Sequence, residues 1–358
     1  MSGVWGNKIK LSIYGESHGE AIGVVIDGIE SGISIDMENI EKDMERRAPG
    51  RNNLSTQRKE RDRPEILSGI FNGLTTGAPI SVMIRNFDKH SKDYSNIKDV
   101  MRPGHADYTG YVRYNGFNDY RGGGHFSGRI TAPLVFAGAF AKEILKKKGI
   151  FIGSHIKQVG EVHDESFNSL DLNKELFNEL LDKELPLIDS DKIDKVKDEI
   201  LSHKMNLDSI GGVIECGVVG LKAGVGNPFF DSLESTISHL AFSVPAVKGI
   251  EFGAGFDFAN MKGSDANDEY YVENGEVKTY SNNNGGIIGG ISNGMPIIFR
   301  VAIKPTASIS KEQRSFNIKT MENESLTVVG RHDPCIVQRA AVVIEAIAAI
   351  SILELINY

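Results

Sequence analysis

The β-branched runs of this sequence do not alternate with its helical stretches. Three runs come early, at residues 10–14, 22–26 and 79–84, and three come late, at 213–219, 247–252 and 297–303. Apolar side chains at helical spacing fall at 37–47, 132–148, 174–181, 192–203, 231–242 and 335–355. Strict strand–helix alternation marks a doubly wound parallel sheet, so that architecture is set aside and an α+β fold is expected. The last helical stretch is apolar apart from Glu345 and Glu354. It reads as a helix buried on all sides and not as a membrane span. At 358 residues the chain can bury a substantial core, and one or two domains are both open on length alone.

Charge narrows the function. With 40 Lys and Arg against 48 Asp and Glu, the net charge is −8, which argues against a general binder of nucleic acid or anionic membrane. The distribution is uneven. Residues 171–199 carry ten acids and five lysines, expected to form a solvated helical face. In 46–63, Arg46, Arg47, Arg51, Arg58, Lys59, Arg61 and Arg63 face only Glu60 and Asp62, so a basic surface is expected there. A nucleic-acid module built on that stretch is one rival reading, but few aromatics are interleaved with its cations. Cys216 and Cys335 form neither a disulfide framework nor a zinc pattern, and the histidines lack metal-ligand spacing, so no metal is expected. The first residues lack the apolar core of a signal sequence, so the expected setting is the reduced cytoplasm.

The 39 glycines, about 11% against a usual ~7%, concentrate where chemistry is carried. Gly15-Glu16-Ser17-His18-Gly19 matches the G-x-S-x-G pattern of a nucleophile elbow, which requires a strand before the serine and a helix after it. The β-branched residues that follow read as a second strand, so a serine hydrolase using Ser17 is the minor reading. Arg102-Pro103-Gly104-His105 places another histidine on a turn, and Arg121-Gly122-Gly123-Gly124 bares three amides between Arg121 and Arg129, a nest suited to an anion. Further glycine-framed turns follow at 282–294, at Lys304-Pro305-Thr306-Ala307-Ser308 and at Gly330-Arg331-His332-Asp333-Pro334. Asp333, one place before Pro334, is also a candidate helix N-cap. Cations and hydroxyls on turns from residue 15 to residue 335 fit one pocket holding more than one polyanion.

Six of these segments, in their order and separations, resemble the chorismate synthase family: Gly15–Gly19, Arg102–Tyr108, Arg121–Gly124 with Arg129, Gly285–Gly290, Lys304–Thr306 and Gly330–Cys335. The resemblance spans essentially the whole chain. It implies a β-α-β sandwich with helices packed between antiparallel sheets, a single domain over residues 1–358 and a homotetramer. It also implies an anti 1,4-elimination of phosphate from 5-enolpyruvylshikimate 3-phosphate to give chorismate. That reaction requires reduced FMN, here supplied through NADPH and an external flavin reductase.

Carried over by motif, His18 would be the general acid toward the departing phosphate, with Ser17 beside it. His105 would protonate the reduced flavin, Asp333 would assist proton movement there, and Ser127 would stand with them. Arg47, Arg129 and Arg331 would clamp the substrate's anionic groups. FMN contacts would fall at His125, Phe126, Ser127, Pro245, Ala246, Gly285, Lys304, Pro305, Thr306, Ala307, Ser308 and Arg331. The chain departs from the family pattern at three places. His125-Phe126 stands where Arg-Ser is common, Ala307 where serine is common, and Asn53 where an arginine is often found.

Overall fold

The structure is a computed structural model that describes residues 3–50, 54–55, 62–87, 98–328, 330 and 333–356. Two five-stranded antiparallel sheets enclose a layer of helices. The first sheet runs in the order Val4–Trp5, Lys10–Gly15, Ala21–Asp27, Ile80–Arg85, Glu65–Ser68. The second runs Val247–Phe252, Ile297–Ile303, Gly212–Val219, Phe151–Val159, Val162–His163. The helices are α1 (Met37–Arg47), α2 (Asp107–Arg113), α3 (Thr131–Lys147), α4 (Lys174–Leu181), α5 (Ile193–Met205), α6 (Leu233–Ala241), α7 (Gly263–Ala266) and α8 (Val337–Ile356).

Helix α3 packs on the first sheet, α8 packs on the second, and the two helices pack on each other. Gly138 on α3 permits that approach, because a Cβ there would overlap Ala346 of α8. Helix starts carry the caps their sequences suggest: Asp36 accepts from the Glu38 amide, Asn173 from Leu176 and Ser232 from Ser235. No helix of the described residues is long and apolar enough to cross a membrane.

Helix α8 is buried on every side, as its near-continuous apolar composition requires, and its two acids are hydrogen-bonded internally. Glu345 accepts from Arg46 Nη1 and Nη2 at 2.7 Å each, from Lys142 at 2.8 Å and from Ser154 at 2.8 Å. Burial alone would raise the Glu345 pKa, yet the charges of Arg46 and Lys142 hold the carboxyl well below its ordinary range. Glu354 accepts from the backbone amides of Asn7, Lys8 and Ile9. The two acids thus tie the central helix to both outer layers. Both cysteines are free and buried, and burial pushes the Cys335 thiol up to about 12.

One expectation is corrected here and one is borne out. Arg46 and Arg47 do not belong to a basic surface: Arg46 joins Glu345 and Asp43, and buried Arg47 pairs with Asp62 at 3.2 Å. Arg51, Arg58, Lys59 and Arg61 lie outside the described residues. The residues after Ser17 form the strand Ala21–Asp27, so the strand–serine–helix geometry of a hydrolase elbow is not formed.

Candidate active site

Ser17 and His18 occupy the turn between two neighbouring strands of the first sheet, Lys10–Gly15 and Ala21–Asp27, and both are buried. The Ser17 hydroxyl lies 3.1 Å from His18 Nδ1 and donates to the Arg121 carbonyl at 3.2 Å. The Ser17 amide donates to the Gly124 carbonyl at 3.1 Å, and His125 Nδ1 lies 2.9 Å from the Gly15 carbonyl. Asn86 donates to the carbonyls of Glu16 and Gly19 and accepts from Arg129 Nε at 3.0 Å. The triple-glycine segment is therefore docked along its length on the Ser17–His18 turn.

Gly122 and Gly123 adopt positive φ, at 58° and 87°. A Cβ on Gly122 would overlap the His18 ring and come within 2.9 Å of Ser17 Oγ. A Cβ on Gly123 would stand 3.1 Å from both Cε1 and Nε2 of His105. Only glycine meets both demands, the conformation and the close approach. The two histidines thus converge on adjacent backbone units.

His105 is held from its other edge. Its Nδ1 lies 2.7 Å from Asp107 Oδ1, and Arg102 grips the same carboxylate with Nε at 2.7 Å and Nη2 at 2.8 Å. Burial works to raise the Asp107 pKa, but hydrogen bonds from Arg102 and His105, with their charges, hold the carboxyl far below its ordinary range. Arg102 Nη1 also donates to Ser308 Oγ at 3.2 Å, and Lys304 Nζ donates to the Gly104 carbonyl. These contacts join the Arg102–His105 turn to the Lys304–Ser308 segment. An open cavity of about 300 Å³ lies between the two, lined by Pro103, Gly104, Lys304, Pro305, Thr306 and Ala307, with Asp208, Ser209, Ile309 and Gln313 completing the wall.

The wall of that cavity contains two buried oxygens with no hydrogen-bond partner among the described residues, Thr306 Oγ1 and Gln313 Oε1. A buried acceptor left unmet costs about 1–3 kcal/mol, so the pair suits a ligand that brings donors. Lys304 adds a cation whose pKa is lowered by burial and then by Lys248. Polar, partly cationic and framed by glycine, these residues fit a planar ligand with polar edges and an anionic group.

Other residues expected at the site are distributed around this centre. The Lys304 amide donates to the Ala246 carbonyl at 2.9 Å, which brings Ala246 and its neighbour Pro245 beside the cavity. Ser127 accepts from the Arg129 amide at 3.3 Å, starting the short turn that leads into α3. Phe126 packs against Tyr114 and Gly110, with ring centroids 6.1 Å apart in the Tyr114 pair. The aromatic found where the family often has serine therefore has a receiving surface. His125 is exposed.

Arg47 and Arg129 meet at one carboxylate. Arg129 Nη1 donates to Asp62 Oδ1, and Arg47 sits 3.2 Å from Oδ2 of the same side chain. Two guanidiniums facing one carboxylate leave local positive charge in a water-poor setting. Arg121 is paired with Asp119 at 2.8 and 2.7 Å.

Asp333 accepts from Arg339 at 2.9 Å, and helix α8 begins only at Val337. The Pro334 carbonyl accepts from Ile210, whose neighbour Ser209 donates to the Thr306 carbonyl, so the Asp333 turn and the Lys304–Ser308 segment share the 209–210 loop. Arg331 and Asn53 lie outside the described residues. Gly285 is not brought to the cavity: it is paired with Ile298 at the opposite end of the strand that leads to Lys304. Six residues of extended strand separate them by about 20 Å.

Three residues that organise the site escape motif reading: Asp107, Asp62 and Asn86. Asp107 lies inside the Arg102–Tyr108 segment and Asp62 is one of only two acids in 46–63, so each had a signal. Asn86 had none.

Comparison with known proteins agrees along the whole chain. The family model described as chorismate synthase matches residues 9–356. The chain is 45% identical over 352 residues to a chorismate synthase of Methanobrevibacter smithii, covering 98% of this chain and 95% of that protein. It is 45% identical over 347 residues to the Pyrococcus abyssi chorismate synthase, covering 96% and 94%. A solved structure titled "Crystal Structure of Chorismate Synthase" superposes with a TM-score of 0.76 at 30% identity, covering 98% of this chain and 92% of that one.

Proposed function

The chain belongs to the chorismate synthase family and is a lyase of that family, and from that premise we propose how its residues carry out the elimination of phosphate from 5-enolpyruvylshikimate 3-phosphate. The observation that carries this reading is the convergence of His18 and His105 on Gly122 and Gly123. Two proton-bearing rings at adjacent positions suit a reaction that must both protonate a leaving group and manage a proton at a second molecule.

Reduced FMN, bound at the cavity beside Lys304, would lend electron density that helps the phosphate leave and regain it as the ring proton departs. Pro245, Ala246, Lys304, Pro305, Thr306, Ala307 and Ser308 would hold it, with His125, Phe126 and Ser127 from the opposite segment. The unmet oxygens of Thr306 and Gln313 support that assignment. His105, next in sequence to cavity-lining Gly104, would hold a proton for the cofactor. His18, hydrogen-bonded to Ser17, delivers a proton to the departing phosphate. Arg47 and Arg129 supply positive potential for the substrate's anionic groups, with Arg331 as a third cation and Asp333 assisting the proton at the cofactor.

One contiguous hydrophobic cluster draws on both sheets and the helices between them, which supports reading residues 1–358 as one domain. A homotetramer, the assembly that the family resemblance implies, completes this reading. Reducing equivalents come from NADPH through a separate reductase, and the buried free thiols suit a reduced cytoplasm.

The test is an anaerobic assay of phosphate release from 5-enolpyruvylshikimate 3-phosphate with reduced, oxidised and no FMN. Release is expected with reduced FMN alone. Equal release without flavin, or none with it, overturns the proposal.

A further inference from the structure

The structure assigns Asp107 as a positioning residue that accepts a hydrogen bond from Nδ1 of His105 and so keeps Nε2 beside the Gly123 backbone. This assignment rests on the role given to His105 above. Nδ1 has two polar neighbours, Asp107 Oδ1 at 2.7 Å and Arg102 Nη2 at 3.2 Å. They make opposite demands, since a carboxylate needs a proton on Nδ1 and a guanidinium needs a lone pair there.

Three observations decide for the carboxylate. Its contact is the shorter. Arg102 Nη2 already has an acceptor in Asp107 Oδ1 at 2.8 Å, so its proton does not need the imidazole. Asp107 also accepts from Arg102 Nε and from the Arg102 amide, which fixes both oxygens and favours the ionised form. Consistent with this, the carboxyl is held well below its ordinary pKa by those donors in spite of burial. With Nδ1 as donor, the neutral ring carries its lone pair on Nε2, the atom that faces Gly123. The one nitrogen left to exchange a proton is then Nε2, on the Gly123 side. Asp107 touches neither cavity nor ligand, so it acts through the ring.

The test combines a double-mutant cycle with nitrogen NMR on the full chain. Asp107→Asn keeps the side-chain shape and gives Arg102 an amide oxygen. It should lower kcat by about 10²-fold, in the range lost with a positioned proton donor itself, while KM and the dissociation constant for oxidised FMN stay within experimental error. Because Asp107 acts through His105, adding Asp107→Asn to His105→Ala should change kcat by less than about 2-fold. Asp107→Glu, which retains an anionic acceptor, should recover most of the loss. In ¹⁵N-histidine spectra of the unaltered enzyme, the His105 resonance, identified by its loss in His105→Ala, should report protonated Nδ1 in the neutral ring.

A full loss on adding Asp107→Asn to His105→Ala, a normal kcat in Asp107→Asn, or an Nε2-protonated neutral ring overturns the assignment. Should His105→Ala alone prove fully active, the catalytic reading of His105 fails, and the tautomer still decides the positioning claim. Should Asp107→Asn not fold, Asp107→Glu and the spectrum of the unaltered enzyme decide it.

Discussion

His18 and His105 rest against neighbouring glycines, the first on Gly122 and the second on Gly123, although one ring sits on a turn of the first sheet and the other beside the Lys304 segment. The glycine turn is the shared floor of the site, and the rings cannot be moved independently of it.

Replacing either ring should therefore impair the chemistry and spare the fold. His18→Ala and His105→Ala are each expected to lower kcat by roughly 10²–10⁴-fold, with unchanged unfolding temperature. Near-normal turnover of both in the anaerobic assay would contradict the roles given them.

The floor itself should tolerate no side chain. Gly122→Ala places a methyl into the His18 ring at a φ of 58°. The backbone cost is about 1 kcal/mol, but displacement of His18 and Ser17 should cut kcat by about 10²-fold or more. Paired thermal unfolding and steady-state kinetics check this, and a variant of wild-type rate would show that the contact yields.

Arg129→Ala removes one of two cations from the buried Asp62 carboxylate. Because Arg47 still faces Asp62, the loss should be roughly 3 kcal/mol, the low end for breaking a buried ion pair. A rise in KM for the enolpyruvyl substrate should accompany it. Chemical denaturation with kinetics separates the two effects, and unchanged values of both would remove Arg129 from the site.

Stability should decline toward alkaline pH because of a group remote from the proposed chemistry. His155 is fully buried between Asp164 at 3.1 Å and Glu215 at 2.9 Å, with Lys157 close by. Burial alone would lower its pKa, but hydrogen bonds donated to the two carboxylates and their charges raise it from its ordinary value. A raised folded pKa means the stabilisation is complete below the unfolded value and disappears as pH climbs through the folded one. Unfolding temperature should fall above neutrality, and His155→Gln should flatten that limb. A wild-type profile flat into the alkaline range would show that His155 is neutral.

The strands and helices that position the site were legible because their patterns are local. The strands expected at 213–219 and 297–303 occur as Gly212–Val219 and Ile297–Ile303, and the helix expected at 174–181 is Lys174–Leu181. Phe151–Val159, a central strand of the second sheet, escaped because Gly153, Ser154 and His155 interrupt its apolar run. Those side chains are buried all the same, since Ser154 reaches Glu345 and His155 reaches Asp164 and Glu215. Burial by a distant partner leaves no local signature. The same reason made Arg46 look like surface: a charged residue's place depends on which opposite charge the fold delivers. The glycine segments were legible as turns, but no spacing reveals that Gly285 pairs with Ile298, at the far end of the strand that leads to Lys304.

Helix α8 occupies the middle of the molecule yet is the last described element to leave the ribosome. Until it emerges, Arg46 and Lys142 have no Glu345 to meet, and the second sheet lacks the helix that covers its inner face. The nascent chain should therefore stay protease-sensitive until α8 has emerged, and chaperone engagement during translation should centre on the uncovered second sheet.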